Sequence, residues 1–431
     1  MEPLREHPLR RALADELHAR PFQPIRAPGR VLHLALKRPS SAAERDEAAE
    51  RAHLAALLDL HGAAHPTPDA SHHVVDLGPL VLKWERHTEF YTYTFYEPGE
   101  AATPFQDRPE RHLPDDWLAG LPGQVIAAVQ CALVPVADEG EALADLREGI
   151  GAAFNGESLA CGWVADRGIL AMGDFHLDDR GFSRFALLVR DEMGPRRVGR
   201  VCQRLLDIEV YRTLAMLALP VARETAIRLD QIEGTLAGLI EQVALADDAA
   251  PEGAILAELT ELSAEIEALS ANATFRFGAG AAYEAIVHQR IEMLGEERVA
   301  GRQQFREFML RRFDPAMRTT HAAERRLEGL AVRASRASEL LRTRVNVALE
   351  AQNRDLLSSM DRRAALQLRL QETVEGLSVV AISYYAVSLA GYLLAPFAGT
   401  LGVDKTTLTA IVALPVILGV WCFVRRIRRT I

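Results

Sequence analysis

The pattern of hydrophobic and polar residues changes near residue 195. Before it, short segments rich in β-branched and aromatic residues alternate apolar with polar positions, which is typical of half-buried strands. The segments predicted as strands are Arg30–Lys37, His72–Leu77, Leu80–His87, Glu89–Tyr96, Gln124–Val134, Ser158–Ala165, Ile169–Leu177 and Ser183–Arg190. Helices are predicted at Pro8–Ala19, Ala42–Leu60 and Gly140–Ile150. Asp166–Gly168 and Asp179–Gly181 supply tight turns, so we predict an α+β domain over residues 1–195 with a largely antiparallel sheet.

From residue 196 to 315, apolar residues recur every three or four positions, the period of an α-helix. Pro220, the Gly278–Gly280 pair and Asp314-Pro315 interrupt the pattern. The predicted antiparallel helices are Gly199–Leu219, Val221–Ala246, one starting at Ala254, and Ala281–Phe313.

Residues 316–376 predict one long stalk helix, because they contain no proline and Gly329 is the only glycine before Gly376. A one-sided apolar stripe runs along it from Leu327 to Val374. Such a helix cannot bury its stripe alone, so we expect partner helices from this chain or from other copies, as in a coiled coil. The alternative is a helix broken by a short turn near Gly376.

Two uncharged apolar segments follow, Leu377–Ala395 and Thr406–Val424. Each is long enough to cross a hydrocarbon core of about 30 Å, and the short link between them requires a helical hairpin over residues 377–424. Two buried helices of a soluble protein are the poorer interpretation, because that would leave the basic tail at 425–431 unexplained. The positive-inside rule therefore predicts that both ends of the hairpin face the cytoplasm and that the elbow between the two segments lies on the outside. The arginines that indicate this are Arg425, Arg426, Arg428 and Arg429.

Composition narrows the choice of function. A net charge of -10 argues against non-specific nucleic-acid binding. The four cysteines are far apart and form no C-x-x-C, which favours reduced, buried thiols. Nucleotide-binding, hydrolase and metalloprotease motifs are absent from the sequence, so we predict no enzyme and no evident cofactor. No apolar segment of signal-peptide length opens the chain.

Two sets of polar residues are candidates for chemistry. In the amino-terminal domain, the members of a possible polar cluster are Glu85, His87, Asp174, His176 and Asp178. Of these, Asp174, His176 and Asp178 alternate along one strand face and could bind a hard, divalent cation through oxygen ligands, although a solvated charged face leading to a turn is the favoured alternative. In the first apolar segment, hydroxyl groups at helical spacing could line a pore or bond between packed helices; they belong to Ser378, Tyr385, Ser388 and Tyr392. Thr400 and Asp404 would lie at the outer mouth.

Several phrases resemble a family of uncharacterised bacterial membrane-anchored proteins that is classified only as a domain of unknown function. The phrases are "HPLRRALADELHARPF", "LKWERHTEFYTYTF", "RLLDIEVYRTLAMLALP" and "ETVEGLSVVAISYYAVSLAGYL". This resemblance covers nearly the whole chain and implies the bacterial inner membrane as location. It implies no activity.

The order of elements is also similar to that of CorA-type magnesium channels, and Leu340–Met360 looks like the run before their first span. That resemblance implies a homopentamer with a pore along the first spans and a Gly-Met-Asn motif at its mouth, which this sequence lacks. Three hypotheses follow: a CorA-like cation channel or transporter, a non-conducting membrane-anchored scaffold or sensor with a cytosolic ligand- or partner-binding domain, and a membrane-tethered enzyme.

Overall fold

A computed structural model describes the fold. The chain divides into two compact units, Met1–Ala337 and Ser338–Ile431. The structure describes residues 7–11, 22–37, 46–99, 103, 105–106, 109–245, 252–397 and 404–428. Most of the predicted helix Pro8–Ala19 and the start of Ala42–Leu60 lie outside these residues.

The first unit contains one nine-stranded sheet with the order β2-β3-β4-β1-β5-β8-β7-β6-β9. Neighbouring strands of this sheet are antiparallel except β5 and β8, which run parallel. The strands are β1 Gly29–Lys37, β2 His72–Asp76, β3 Val81–Arg86, β4 Phe90–Pro98, β5 Gln124–Val136, β6 Ala160–Val164, β7 Ile169–Leu177, β8 Ser183–Arg190 and β9 Glu297–Arg298. The predicted strands are therefore confirmed within a few residues; β9, too short to show a pattern, was missed.

Helices cover both faces of this sheet. Successive side chains of a strand point to opposite faces, and buried residues occur on both. One face carries α1 Glu47–Leu60, the short α2 Asp115–Ala119 and α3 Glu139–Glu148, which pack on Trp84, Tyr93 and Leu170. The opposite face carries α4 Pro195–Met216, whose Val201, Leu205 and Ile208 join the core. The expectation of an α+β domain thus holds at the level of a sheet with helices, here on both faces.

The helices after α4 differ from the prediction. Pro220 does not end a helix but lies in the first turn of α5, Ala218–Leu245, where a missing N–H costs nothing. The predicted break at Gly278 and Gly280 is wrong, because α6 runs through both, from Glu252 to Leu294. Gly280 has a packing role instead: a Cβ there would stand 2.9 Å from the Cβ of Ala218.

The predicted helix Ala281–Phe313 is also wrong as one element. It is divided by Gly295, which has the positive φ of 59° that favours glycine at a helix end. The strand β9 then precedes α7, Phe305–Arg312. Asp314 and Pro315, predicted as a stop, begin the next helix.

That next helix, α8, spans Asp314–Leu394 without a break at Gly376, so the alternative of a turn there is wrong. The apolar stripe of α8 is buried in its first part and exposed further along the helix. Leu327, Leu330 and Leu341 are at most 4% exposed, whereas Leu356 and Leu370 are 61% and 70% exposed.

In the second unit, α9 Lys405–Arg428 follows after the link and carries Pro415 in its interior. The two helices run antiparallel side by side, because a Cβ on Gly391 would lie 3.6 Å from Thr409 Oγ1 while Gly376 shares a groove with Trp421 and Val424. Segments of α8 and of α9 are long and apolar enough to cross a membrane, and almost none of their residues is buried within the chain.

Candidate functional site

The candidate site is a cavity of about 260 Å³ between the sheet and α4. Its floor comes from β3, β4 and β1, where Lys83 stands opposite Thr94 and Thr94 opposite His33. Glu85 stands opposite Thr92 in the next row on the same face. The alternation of β4 explains this floor: Tyr91, Tyr93 and Phe95 point to the α1 side, which leaves Thr92 and Thr94 on the α4 side.

The wall comes from two helices. Gln203, Asp207 and Tyr211 follow one another at intervals of four on α4 and therefore share one face. Arg290 reaches the cavity from α6.

A continuous polar chain joins floor and wall. Lys83 Nζ lies 3.0 Å from Glu85 Oε2 and donates to Gln203 Oε1 at 3.1 Å. Gln203 Nε2 donates to Asp207 Oδ1 at 2.8 Å, and Arg290 Nε donates to Asp207 Oδ2 at 2.8 Å. Burial raises the pKa of Asp207, which the hydrogen bond from Gln203 and the charge of Arg290 oppose. The two acids of the cavity therefore each have a cation beside them: Glu85 has Lys83, and Asp207 has Arg290.

Two polar atoms of the floor have no hydrogen-bond partner within the part of the chain that the structure describes. The Nε2 of His33 and the Oγ1 of Thr92 are buried without a hydrogen bond to any described residue. The other ring nitrogen of His33 lies 2.8 Å from Thr94 Oγ1. Burial, and then the charge of Lys83, lowers the pKa of His33 to about 3, so the ring is neutral at neutral pH. A buried polar atom without a partner costs free energy unless something else satisfies it.

Aromatic rings form one end of the cavity. His87 stacks on Phe90 with ring centroids 4.2 Å apart, and Tyr211 meets Phe90 edge-on at 5.9 Å. Phe22 also lines the cavity. The volume lies just below the usual range for drug-sized ligands, so the cavity suits a small molecule.

Metal binding finds no support in the geometry. Within the part of the chain that the structure describes, no group of three or more His, Cys, Asp or Glu side chains could hold a metal ion. In the cavity itself, the carboxylates of Glu85 and Asp207 are already paired with Lys83 and Arg290.

The structure brings together only part of the predicted polar cluster. Glu85 and His87 line the cavity. Asp174, His176 and Asp178 do not, because four strands separate β7 from β3.

Local geometry explains where the second group of acids goes. A register shift in β7, with Phe175 at a φ of 55°, interrupts the alternation that would have aligned them. Asp174 accepts from the backbone N–H groups of Asn155 and His176 at 2.8 and 3.1 Å. Asp178 accepts from those of Arg180 and Phe182, both at 2.9 Å, as a turn-forming residue does.

The predicted pore residues lie in the second unit. Ser378 and Ser388 donate to the carbonyls of Val374 and Tyr384 at 2.8 and 2.9 Å, so these hydroxyls are satisfied within their own helix. Tyr385 and Tyr392 are 72% and 74% exposed.

The remaining predicted positions lie in the link before α9 and at the carboxyl end of α9. Asp404 directly precedes α9, and Thr400 lies outside the described residues. Arg425 covers the Trp421 ring at 4.9 Å, Arg426 and Arg428 follow in the last turns of α9, and Arg429 lies outside the described residues.

Sequence reasoning missed most of the cavity. His33, Thr92, Gln203, Asp207 and Arg290 belong to segments far apart in the chain, which only the sheet order and the packing of α4 bring together. One signal was available: an acid at Asp207 inside the amphipathic α4, flanked by buried apolar residues, indicates a buried carboxylate that needs a partner.

Comparison with known proteins places the chain in a family. No curated protein matches the sequence significantly. A family model described as "Protein of unknown function (DUF3422)" matches residues 5–431. The match confirms the resemblance to an uncharacterised family and gives no support to the likeness to CorA-type channels. Since the model spans nearly the whole sequence, the chain belongs to the DUF3422 family of proteins of unknown function.

Proposed function

We propose that this protein is a membrane-anchored sensor or scaffold whose amino-terminal domain binds a small polar ligand in the cavity between the sheet and α4. The observation that carries the proposal is the pair of unsatisfied buried groups, His33 Nε2 and Thr92 Oγ1, in the floor of that cavity. Folded proteins rarely leave such atoms unpaired, and a bound molecule would satisfy both.

Membrane anchoring rests on the second unit. Leu389, Leu393 and Leu414 are 64%, 68% and 68% exposed, which is an unfavourable arrangement in water. Lipid would cover these side chains, and helices pair most of their backbone groups internally, apart from the helix ends and the carbonyl that Pro415 leaves without its N–H partner. The positive-inside rule supports the proposed orientation in a bacterial inner membrane: the arginines at 425–429 favour a cytoplasmic side for the tail and for the amino-terminal domain.

Self-association is part of the proposal. The middle of α8, before its apolar segment, also exposes apolar side chains, which need a partner helix. Examples are Leu356, Leu357 and Met360, which are 56–61% exposed. A homo-oligomer would supply one; a pentamer rests on the CorA analogy alone.

Mass spectrometry of captured ligand tests the binding function. Full-length protein in detergent is incubated with a polar metabolite extract, washed and denatured, and the released compounds are identified. A Thr92→Leu variant, which fills the cavity floor, should release none of the compound that wild type captures. Thr88→Leu, at an exposed position outside the cavity, is the matched control and should behave as wild type. Equal recovery from both variants would refute cavity binding.

A cation channel is the second candidate, favoured by one observation. At about 3.6 residues per turn, Ser378, Tyr385, Ser388 and Tyr392 lie on the side of α8 opposite Gly376 and Ser383, and Gly376 faces α9. The polar stripe is therefore left uncovered by the hairpin partner and could meet other copies around an axis, with Asp404 near the mouth. Divalent cations such as magnesium would be the expected cargo by analogy.

Flux measurements in liposomes test the channel. The candidate requires cation flux that falls in a Ser388→Ala, Tyr392→Ala, Asp404→Ala triple variant. A tight symmetric oligomer without flux would leave the sensor or scaffold as the better description, whereas a monomer would remove the pore altogether.

A further inference from the structure

The charges around the cavity are mutually neutralised. Lys83 and Glu85 pair on the floor, Asp207 and Arg290 pair on the wall, and Gln203 links the two pairs. The side chains of Lys83 and Glu85 are only 1% and 5% exposed. A charged ligand that displaced one member of these pairs would leave a buried charge without its partner, which is strongly unfavourable.

Two atoms of the floor that these pairs do not engage belong to neutral groups. His33 Nε2 is a donor in one ring tautomer and an acceptor in the other, depending on which way the contact with Thr94 Oγ1 is protonated. Thr92 Oγ1 can also donate or accept. A ligand hydroxyl both donates and accepts, so it matches either state of both groups, which an ammonium or a carboxylate does not.

From these observations we infer that the cavity takes a small uncharged polyhydroxy compound, a polyol or a monosaccharide, with hydroxyl groups bound to His33 Nε2 and Thr92 Oγ1. The inference rests on the proposed ligand-binding function and specifies its ligand class. The aromatic end formed by Phe90, His87 and Tyr211 gives the carbon side of such a molecule an apolar surface.

The test compares matched ligands that differ in charge. Full-length protein, in a detergent without a sugar headgroup, is titrated calorimetrically with myo-inositol and D-glucose as uncharged probes and with D-gluconate and D-glucosamine as charged ones. We expect at least one uncharged probe to bind at least tenfold more tightly than either charged probe. Thr92→Val should weaken that binding at least tenfold, and Thr88→Val should leave it unchanged. Thermal melts of both variants verify folding.

The outcomes separate this inference from the function on which it rests. If a charged probe binds as tightly as the uncharged ones, or if the compound captured from the extract is ionic, the ligand class is wrong while cavity binding stands. An uncharged polyhydroxy compound in the capture experiment supports the inference even where neither pure probe binds. If no probe binds and the extract yields nothing that Thr92→Leu abolishes, both proposals fail.

Discussion

The two units of this chain treat large apolar side chains in opposite ways. In the first unit Trp84 is 0% exposed between the sheet and α1, whereas in the second Trp421 is 48% exposed beside Arg425. The first unit obtains its stability from its own core, since the helices on both faces of the sheet remove apolar surface from water. The described helices of the second unit bury few of their apolar residues within the chain, and under the proposed function lipid or other copies of the chain would cover them.

The largest expected difference concerns these two tryptophans. Trp84→Ala should lower the free energy of unfolding of the first unit by about 3–5 kcal/mol, because it opens a cavity in a packed core. Trp421→Ala should leave that value unchanged. Urea unfolding in detergent, followed by circular dichroism, measures both. Similar losses for the two variants would mean that the second unit contributes to the core of the first, against the comparison.

A second pair tests what covers the exposed leucines. Leu60 on α1 and Leu389 on α8 are 62% and 64% exposed. Leu60→Arg should change stability by less than about 0.5 kcal/mol, as surface substitutions do. Leu389→Arg should disfavour membrane insertion by about 3 kcal/mol, the cost of an arginine near the bilayer centre. The measurement is the share of protein retained in carbonate-washed membranes; equal retention would contradict a membrane span at Leu389.

The sheet could be predicted from the sequence because each strand carries its own evidence. The alternation in "EFYTYTFY" follows directly from a strand with one face on α1 and the other on the cavity. The helix breaks could not be predicted in the same way. Gly280 is indistinguishable from a helix stop until Ala218 is seen to pack against it, whereas Gly295 does end a helix.

The candidate site was predictable only where its residues are close in sequence. Glu85 and His87 belong to one strand and its end, so alternation indicated them. Asp207 and Arg290 join them only through the packing of α4 and α6 on the sheet, which no local pattern encodes. The predicted alignment of Asp174 with His176 failed because β7 contains a register shift.

A titration of stability against pH examines the buried polar side of the first unit. Since the pKa of His33 is about 3 in the folded protein and about 6.5 in the unfolded chain, the unfolded state binds the additional proton as the pH falls below 6.5. Stability that is present above pH 6.5 is therefore lost progressively toward pH 3. We expect wild type to lose about 1 kcal/mol more than His33→Leu between pH 7 and 5.5. Parallel curves for the two proteins would show that His33 can be protonated in place.

The smallest expected effect separates covered from uncovered surface within one helix. Gly278 and Gly280 lie two positions apart on α6; a Cβ on Gly278 meets nothing within 4 Å, whereas one on Gly280 stands 2.9 Å from Ala218. Gly278→Ala should raise the free energy of unfolding by about 0.5–1 kcal/mol, because alanine restricts the unfolded chain. Gly280→Ala should lower it by about 1 kcal/mol, since the strain of overpacking exceeds the gain in helix propensity. If both substitutions stabilise the protein, α6 and the start of α5 can separate without cost, and the packing that excludes a side chain at Gly280 is looser than the distance to Ala218 indicates.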